Sequence, residues 1–560
     1  MLIAVRSDGS GGGELCPLGS GGAGAGPPAA VADLAAAVAG WEARATPRWL
    51  WASATEVVPG LLRAGVRVGR CHDMQLVEGL LLAYEGRWGE PCSAAAVVAR
   101  RDRRPVPADP PVRLAEPPGG GQSALFTPVL AESSLRDVVD GYAEQVARLA
   151  AMPESGRLRL LMAAESAGAL VAAEMGHEGL PWRVDVHRDL LADLLGAPSP
   201  VGGPPARLVE LSAQIAAAFG VRALRPERPA EVLRAFARVG VTLPNTRSWV
   251  LRGVDHPAVP LLLDFKERYR IWTAHGWSWI DAWVHEGRFR PEYVPAGVVS
   301  GRWATRGGGA LQIPRVIRRA VVADPGWKLV VADAGQLEPR ILAAISGDQR
   351  LASAGAAGDL YAALAAEAFG GDRAKAKVAL LGAMYGQTGG AALPALAALR
   401  RSYPVAWEFV EAAARTGESG GLVRSWLGRT CPPVSADAAD LLGEGLGEPA
   451  GSAGPESNSA TARARARGRF TRNFVVQATA AEWALTLLAT LRTSLWGMRA
   501  RLVFFQHDEV VVHCPADEAP TVAAAITAAG QQASALLFGA TPVRFPTDIQ
   551  VVDCYADAAH

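Results

Sequence analysis

Two aspartates carry the chemical signal of this chain. Asp333 ends the apolar run of residues 329–332 in KLVVADAGQLEPR, and Asp508 sits between two apolar runs in RLVFFQHDEVVVHCP. A carboxylate at the end of a buried strand either caps the helix that follows or meets a cation. For Asp333 alone a cap is the simpler explanation, and Pro339 fits the first turn of that helix, where a missing N–H does no harm. Asp508 alters the balance. Gln506, His507, Asp508 and Glu509 form the tip of a hairpin where a plain turn would use Asn-Gly or Asp-Gly. Three consecutive ionisable groups between apolar strands are costly without a cation or a ligand. Two such carboxylates can hold a pair of Mg²⁺ ions.

A cationic helix accompanies them. Arg373, Lys377, Leu381 and Tyr385 recur every four residues in RAKAKVALLGAMYG, a stripe about 18 Å long on one helix. That length matches a nucleotide with its phosphates at Arg373 and Lys377 and its base near Tyr385. The plainer alternative is a solvated basic turn followed by a core face of Leu380, Leu381 and Met384. A second stripe, Arg469, Asn473 and Gln477, lies on a helix whose Phe474, Ala478, Leu485 and Leu488 can face a core. Its polar residues suit a nucleic-acid backbone or minor-groove edge, or equally a solvent face. Paired carboxylates beside a triphosphate-sized cationic stripe describe nucleotidyl transfer.

These groups need a large scaffold, and the chain supplies one: 560 residues, half of them hydrophobic, imply several domains. A net charge of +1 means that any affinity for nucleic acid must come from local patches. Only Lys266, Lys328, Lys375 and Lys377 are lysines among 56 basic residues, and two of the four stand in the cationic helix. A compact ammonium, in place of a planar guanidinium, is therefore read as a requirement there. Six scattered cysteines without a CxxC pair point to a reduced, cytosolic protein without structural zinc. Met1–Val5 is too short for a secretory segment, and the apolar stretch 160–175 is broken by Glu165 and Glu174, so no membrane is expected. The absence of a Walker A lysine argues against a motor ATPase.

Along the chain, short strands and helices up to about residue 150 predict an α/β layer, with a helix expected from Pro28 to Trp41. Residues 155 to 300 read as mostly helical. The Ala-, Gly- and Ser-rich stretch 435–468, which ends in Arg463, Arg465 and Arg467, reads as a flexible insertion with a solvated basic linker.

The three blocks resemble motifs A, B and C of family A, polymerase I-like, DNA polymerases. The likeness extends through SGRWAT and LQIP (300–314), IRRAVV from 317, GLVRSWLGRT from 421 and the 469–477 helix, in the family's order. It implies a multidomain α/β plus α+β protein: a right-hand palm, fingers and thumb preceded by an RNase H-like, exonuclease-type α/β domain. The implied divisions are 1–152 exonuclease-like, 153–298 thumb, 299–350 palm, 351–468 fingers and 469–560 palm.

By the same resemblance Asp333 and Asp508 bind two Mg²⁺ ions with Glu509 in support, and Arg373 and Lys377 hold the triphosphate. Lys377 is placed to donate charge or a proton to the leaving group. Glu338 resembles the steric gate against a ribose 2′-hydroxyl, and Gln336, Leu381 and Tyr385 belong to the nucleotide pocket. Arg302, Arg469, Asn473, Gln477 and His507 resemble residues that track primer-template DNA. The expected partners are primer-template DNA and deoxynucleoside triphosphates, and the expected place is the cytoplasm, at the nucleoid.

The chain also departs from the family's pattern. Leu381 stands where an aromatic is usual, and Ala334 and Gly335 replace a larger polar pair. The first strand, LIAVRSD, lacks a D-x-E, Ala54 and Val58 stand where Asn and Asp belong, and Asp73 alone cannot hold two metals. Proofreading is expected to be absent, and so is a 5′ nuclease domain. Two rivals stay open: a single-subunit RNA polymerase, against which Glu338 and Glu509 argue, and a non-catalytic nucleic-acid scaffold.

Overall fold

The computed structural model describes all residues except 20–25, 111–132, 200–201, 307–312, 357, 386–392, 434–459, 507 and 559–560. It forms two compact units. The first comprises Met1–Glu178, Glu292–Ala304 and Val330–Gln550; the second comprises Gly179–Pro291, Thr305–Leu329 and Val551–His560.

The first unit opens on a five-stranded sheet ordered Ala29–Val31, Gly13–Leu18, Leu2–Ser7, Arg48–Trp51, Arg70–Asp73. Leu2–Ser7 pairs antiparallel with its hairpin partner and parallel with Arg48–Trp51, which runs parallel to Arg70–Asp73. The parallel pairings need crossovers, and the amphipathic helices Leu34–Ala45 and Ala54–Arg63 supply them. They bury Val38, Val57, Val58 and Leu61 against Ile3, Trp49 and Trp51. The helix expected from Pro28 starts later. Ala29–Val31 instead form an edge strand, a place that tolerates a preceding proline, and Asp33 caps the helix by accepting Ala36 N–H at 2.9 Å.

Helix Ser155–Glu178, expected at the start of a thumb, belongs to this first unit. It is apolar nearly all round, the mark of a helix buried on every side. Leu170 enters the core of the N-terminal sheet, while Gly168 lies against Leu485, where an added Cβ would stand only 2.5 Å from the Leu485 side chain. Glu174, almost buried, is paired with Arg67 at 2.9 Å and Arg492 at 2.7 Å.

A four-stranded sheet follows, ordered Arg501–Gln506, Glu509–Pro515, Trp327–Ala334, Thr547–Val552. The 35-residue helix Ala460–Ser494 and helix Ala519–Phe538 pack on one another, and Trp483 stacks on Phe545. Both helices are long and apolar enough to cross a bilayer, yet 83% of the apolar window of the first is buried within the protein. Arg463, Arg465 and Arg467 are part of this helix, which corrects their reading as a linker. Alternating Ala and Arg are good helix formers, and the helix simply extends through them. The rest of the expected insertion lies mostly outside the described residues.

The second unit is mainly helical, with Leu211, Ile215, Phe236, Leu251 and Leu262 in its core. Its aromatic-rich run divides at Gly276 into helices Ala258–His275 and Trp277–Trp283. Trp182, His187, Trp279 and Phe289 form one ring cluster beside a small three-stranded sheet.

Candidate active site

Sheet register brings the two aspartates together. Strand Glu509–Pro515 lies beside Trp327–Ala334, and the Ala334 amide donates to the Asp508 carbonyl at 3.0 Å. Asp333, one residue earlier, therefore stands at the same sheet end. The Asp508 carboxyl is pushed up to about 7, first by burial and then by the charge of Asp333, while Arg302 acts in the opposite direction. Glu509 is buried and pairs in register with Gln506, as a hairpin tip requires. His507 lies outside the described residues.

Two crowded carboxylates are the arrangement a divalent cation relieves. Among the described residues no cluster of three or more His, Cys, Asp or Glu side chains forms a complete metal site. Asp333 and Asp508 together offer the one or two carboxylates that Mg²⁺ usually takes, the rest of its shell being phosphate and water oxygens.

Glu338 stands next to this pair in the first turn of helix Leu337–Ile345. It is ion-paired with Arg302, and the Tyr385 hydroxyl donates to its other oxygen at 2.7 Å. Burial and the neighbouring Glu338 hold the Tyr385 phenol well above its ordinary range, so it remains a donor. Arg302, Glu338 and Tyr385 thus form one chain from the first motif to the cationic helix.

That helix spans Arg373–Tyr385, with Arg373 and Lys377 exposed on consecutive turns and Leu381 half-buried below them. Arg373 donates to Asp359 at 2.7 Å and lies over the Tyr361 ring. The Gln336 side chain has partners on the neighbouring helix. In a left-handed conformation (φ 60°), it donates to Asp359 at 2.8 Å and accepts the Leu360 N–H at 2.9 Å, pinning the helix that begins there.

The polar stripe of the long helix divides: Arg469 is exposed, whereas Asn473 and Gln477 are buried. Among the described residues Asn473 Oδ1 and Gln506 Oε1 have no hydrogen-bond partner, while the Gln477 side chain lies at the Tyr385 hydroxyl. Each such buried atom costs about 1–3 kcal/mol unless water or a ligand meets it.

Sequence reasoning missed three supports. Arg340, 1% exposed, donates to the carbonyls of Gly335 (3.2 Å), Gly355 (2.9 Å), Gly358 (2.6 Å) and Arg544 (2.8 Å). Asp359 gathers Gln336 and Arg373. Arg472 joins Ala383, Glu411 and the Trp407 ring, tying three helices together. Arg340 stands inside the QLEPR block, but nothing in its spacing marks it off from the other arginines.

The family model for DNA polymerase family A matches residues 233–556, more than half of the chain. The chain belongs to DNA polymerase family A. It is 28% identical over 329 residues to the thermostable DNA polymerase I of Thermus thermophilus, a match covering 53% of this chain and 36% of that protein. With DNA polymerase I of Chloroflexus aurantiacus it shares 29% identity over 260 residues, 41% of this chain and 25% of that one. The matches thus span about a third or less of these curated relatives. The fold is that of the POL domain of Pol1 from M. smegmatis, solved with DNA primer-template and dNTP: TM-score 0.70 at 17% identity, covering 100% of this chain and 96% of that one.

Proposed function

We propose that this chain is a template-directed DNA polymerase that adds deoxynucleoside triphosphates to a primer 3′ end. The observation that carries the reading is the convergence of Asp333 and Asp508 beside the Arg302–Glu338–Tyr385 chain and the Arg373–Lys377 face. Asp333 and Asp508 would hold two Mg²⁺ ions, which when bound lower the pKa of the primer hydroxyl and offset the charge of the departing pyrophosphate. Arg373 and Lys377 bind the triphosphate, and Lys377 supplies charge or a proton to the leaving group. Glu338, held between Arg302 and Tyr385, occupies the space a ribose 2′-hydroxyl would need. Extension with matched deoxynucleotides should exceed extension with ribonucleotides. A preference for ribonucleotides would move the chain to the RNA polymerase reading.

Asn473, Gln477 and Gln506 receive the minor-groove edge of the primer-template. Removing an unpartnered buried amide should therefore separate stability from binding. Asn473→Leu is expected to leave the melting temperature unchanged or raise it, while weakening primer-template affinity about tenfold, the loss of one hydrogen-bonding contact. Equal affinity by fluorescence anisotropy would show that the amide does not meet DNA.

The N-terminal domain does not proofread on this reading. Asp73 is 1% exposed and fully engaged as a cap, accepting the N–H groups of Ala54 at 2.7 Å and Leu76 at 3.0 Å. A mispaired primer end, incubated with Mg²⁺ and no nucleotide, should remain full length; its shortening would overturn the assignment. Work in repair or replication support at the nucleoid follows from this chemistry.

A further inference from the structure

The motif GLVRSWLGRT folds as a tight hairpin around Glu482 of the long helix. The Ser425 hydroxyl and the Leu427 N–H (3.1 Å) donate to the Glu482 carboxylate, and the Ser425 N–H donates to the Arg429 carbonyl at 2.8 Å. The hairpin thereby presents the buried Arg429 side chain to two neighbours. One is Glu165 of helix Ser155–Glu178, itself buried, with which Arg429 forms an ion pair. The other is Gly301, which has a left-handed φ of +84° and lies so close that a side chain there would overlap the guanidinium. Glycine is required at 301 both for the turn and for this contact.

The turn that Arg429 covers is the one that launches Arg302. Gly301 N–H donates to Val298 carbonyl at 2.7 Å, and Val298 N–H donates to Arg302 carbonyl at 3.0 Å. Beyond it Trp303 packs edge-on against Phe505 with ring centroids 5.3 Å apart, so the segment is held from both sides. Arg302 then pairs with Glu338, which accepts the Tyr385 hydroxyl.

We infer that Arg429, anchored by Glu165, is a positioning residue for sugar selection: it clamps the Val298–Arg302 turn so that Arg302 holds Glu338 in place. The inference rests on the reading of Glu338 as the group that excludes a 2′-hydroxyl. A lysine at 429 keeps the charge but loses the flat face that lies on Gly301.

Arg429→Lys and Glu165→Gln, each in the full chain, should quicken amide hydrogen exchange at Val298 and Gly301 about tenfold. They should also lower the ratio of deoxy- to ribonucleotide incorporation about tenfold, with the larger change in KM for the deoxynucleotide than in kcat. In a Glu338→Gln background Arg429→Lys should lower that ratio no further, because both act through one group. Unchanged exchange at Val298 and Gly301 in both variants, or a loss that adds to that of Glu338→Gln, overturns the inference. A wild-type chain that extends no primer would refute the proposed function instead, and the exchange measurement would still decide the clamp.

Discussion

Asp508→Ala should slow primer extension by roughly a thousandfold, or about 4 kcal/mol of lost transition-state stabilisation. Primer-template affinity should stay within about threefold, since no proposed DNA contact is removed. The fold should not suffer either. The Asp508 carboxyl is held up at about 7 by burial and by Asp333, so without a cation its charge opposes the fold. Single-turnover extension and anisotropy on one preparation separate the two effects. The scaffold reading predicts instead that nothing the protein does depends on Asp508; lost extension with retained binding excludes that reading, whereas undiminished extension by the variant would show that Asp508 does not carry the chemistry.

Arg340→Ala should have the largest effect on stability. Its guanidinium is 1% exposed and meets four carbonyls, those of Gly335, Gly355, Gly358 and Arg544. Hydrogen bonds to a charged donor are worth about 1.5–3 kcal/mol each, and orphaned carbonyls add to the loss. Even with partial rehydration a destabilisation of about 4 kcal/mol or more is expected, lowering the melting temperature by roughly 8–16 °C. Arg340→Lys should recover only part of it, because an ammonium cannot span the four acceptors. A melting temperature within about 2 °C of wild type would show that these carbonyls find other partners.

The meeting of Asp333 and Asp508 at one sheet end was legible because its signal is local. A β-branched run ending in an acid predicts a strand edge, and two such edges meeting in one sheet is an ordinary outcome of strand pairing. The Arg373–Tyr385 helix was legible for the same reason: its spacing sets its face. Partners distant in sequence were not. Asp359 holds Gln336, 23 residues before it, and Arg373, 14 residues after it, and no period links the three. Hence nothing in the spacing of Gln336 announces that its amide braces the neighbouring helix.

The stripe of Arg469, Asn473 and Gln477 shows a second limit. Residues four apart advance about 40° around a helix, so the third member of such a series faces about 80° from the first. One end can therefore be exposed while the other is buried, and only the surrounding helices decide where the boundary falls. Helix Ser155–Glu178 shows a third: a helix apolar all round says that it is buried, not against what. Its attachments to the long helix depend on Gly168 and Glu174, and that to the hairpin of Arg429 on Glu165, each meeting a residue far along the chain.

The proposed chemistry requires Asp333 and Asp508 to serve the same ions. Anomalous diffraction from crystals grown with Mn²⁺, primer-template and a non-hydrolysable deoxynucleotide tests this directly. The predicted result is manganese bound by both carboxylates and by the nucleotide phosphates. Manganese bound elsewhere, or to only one of the two aspartates, would contradict it.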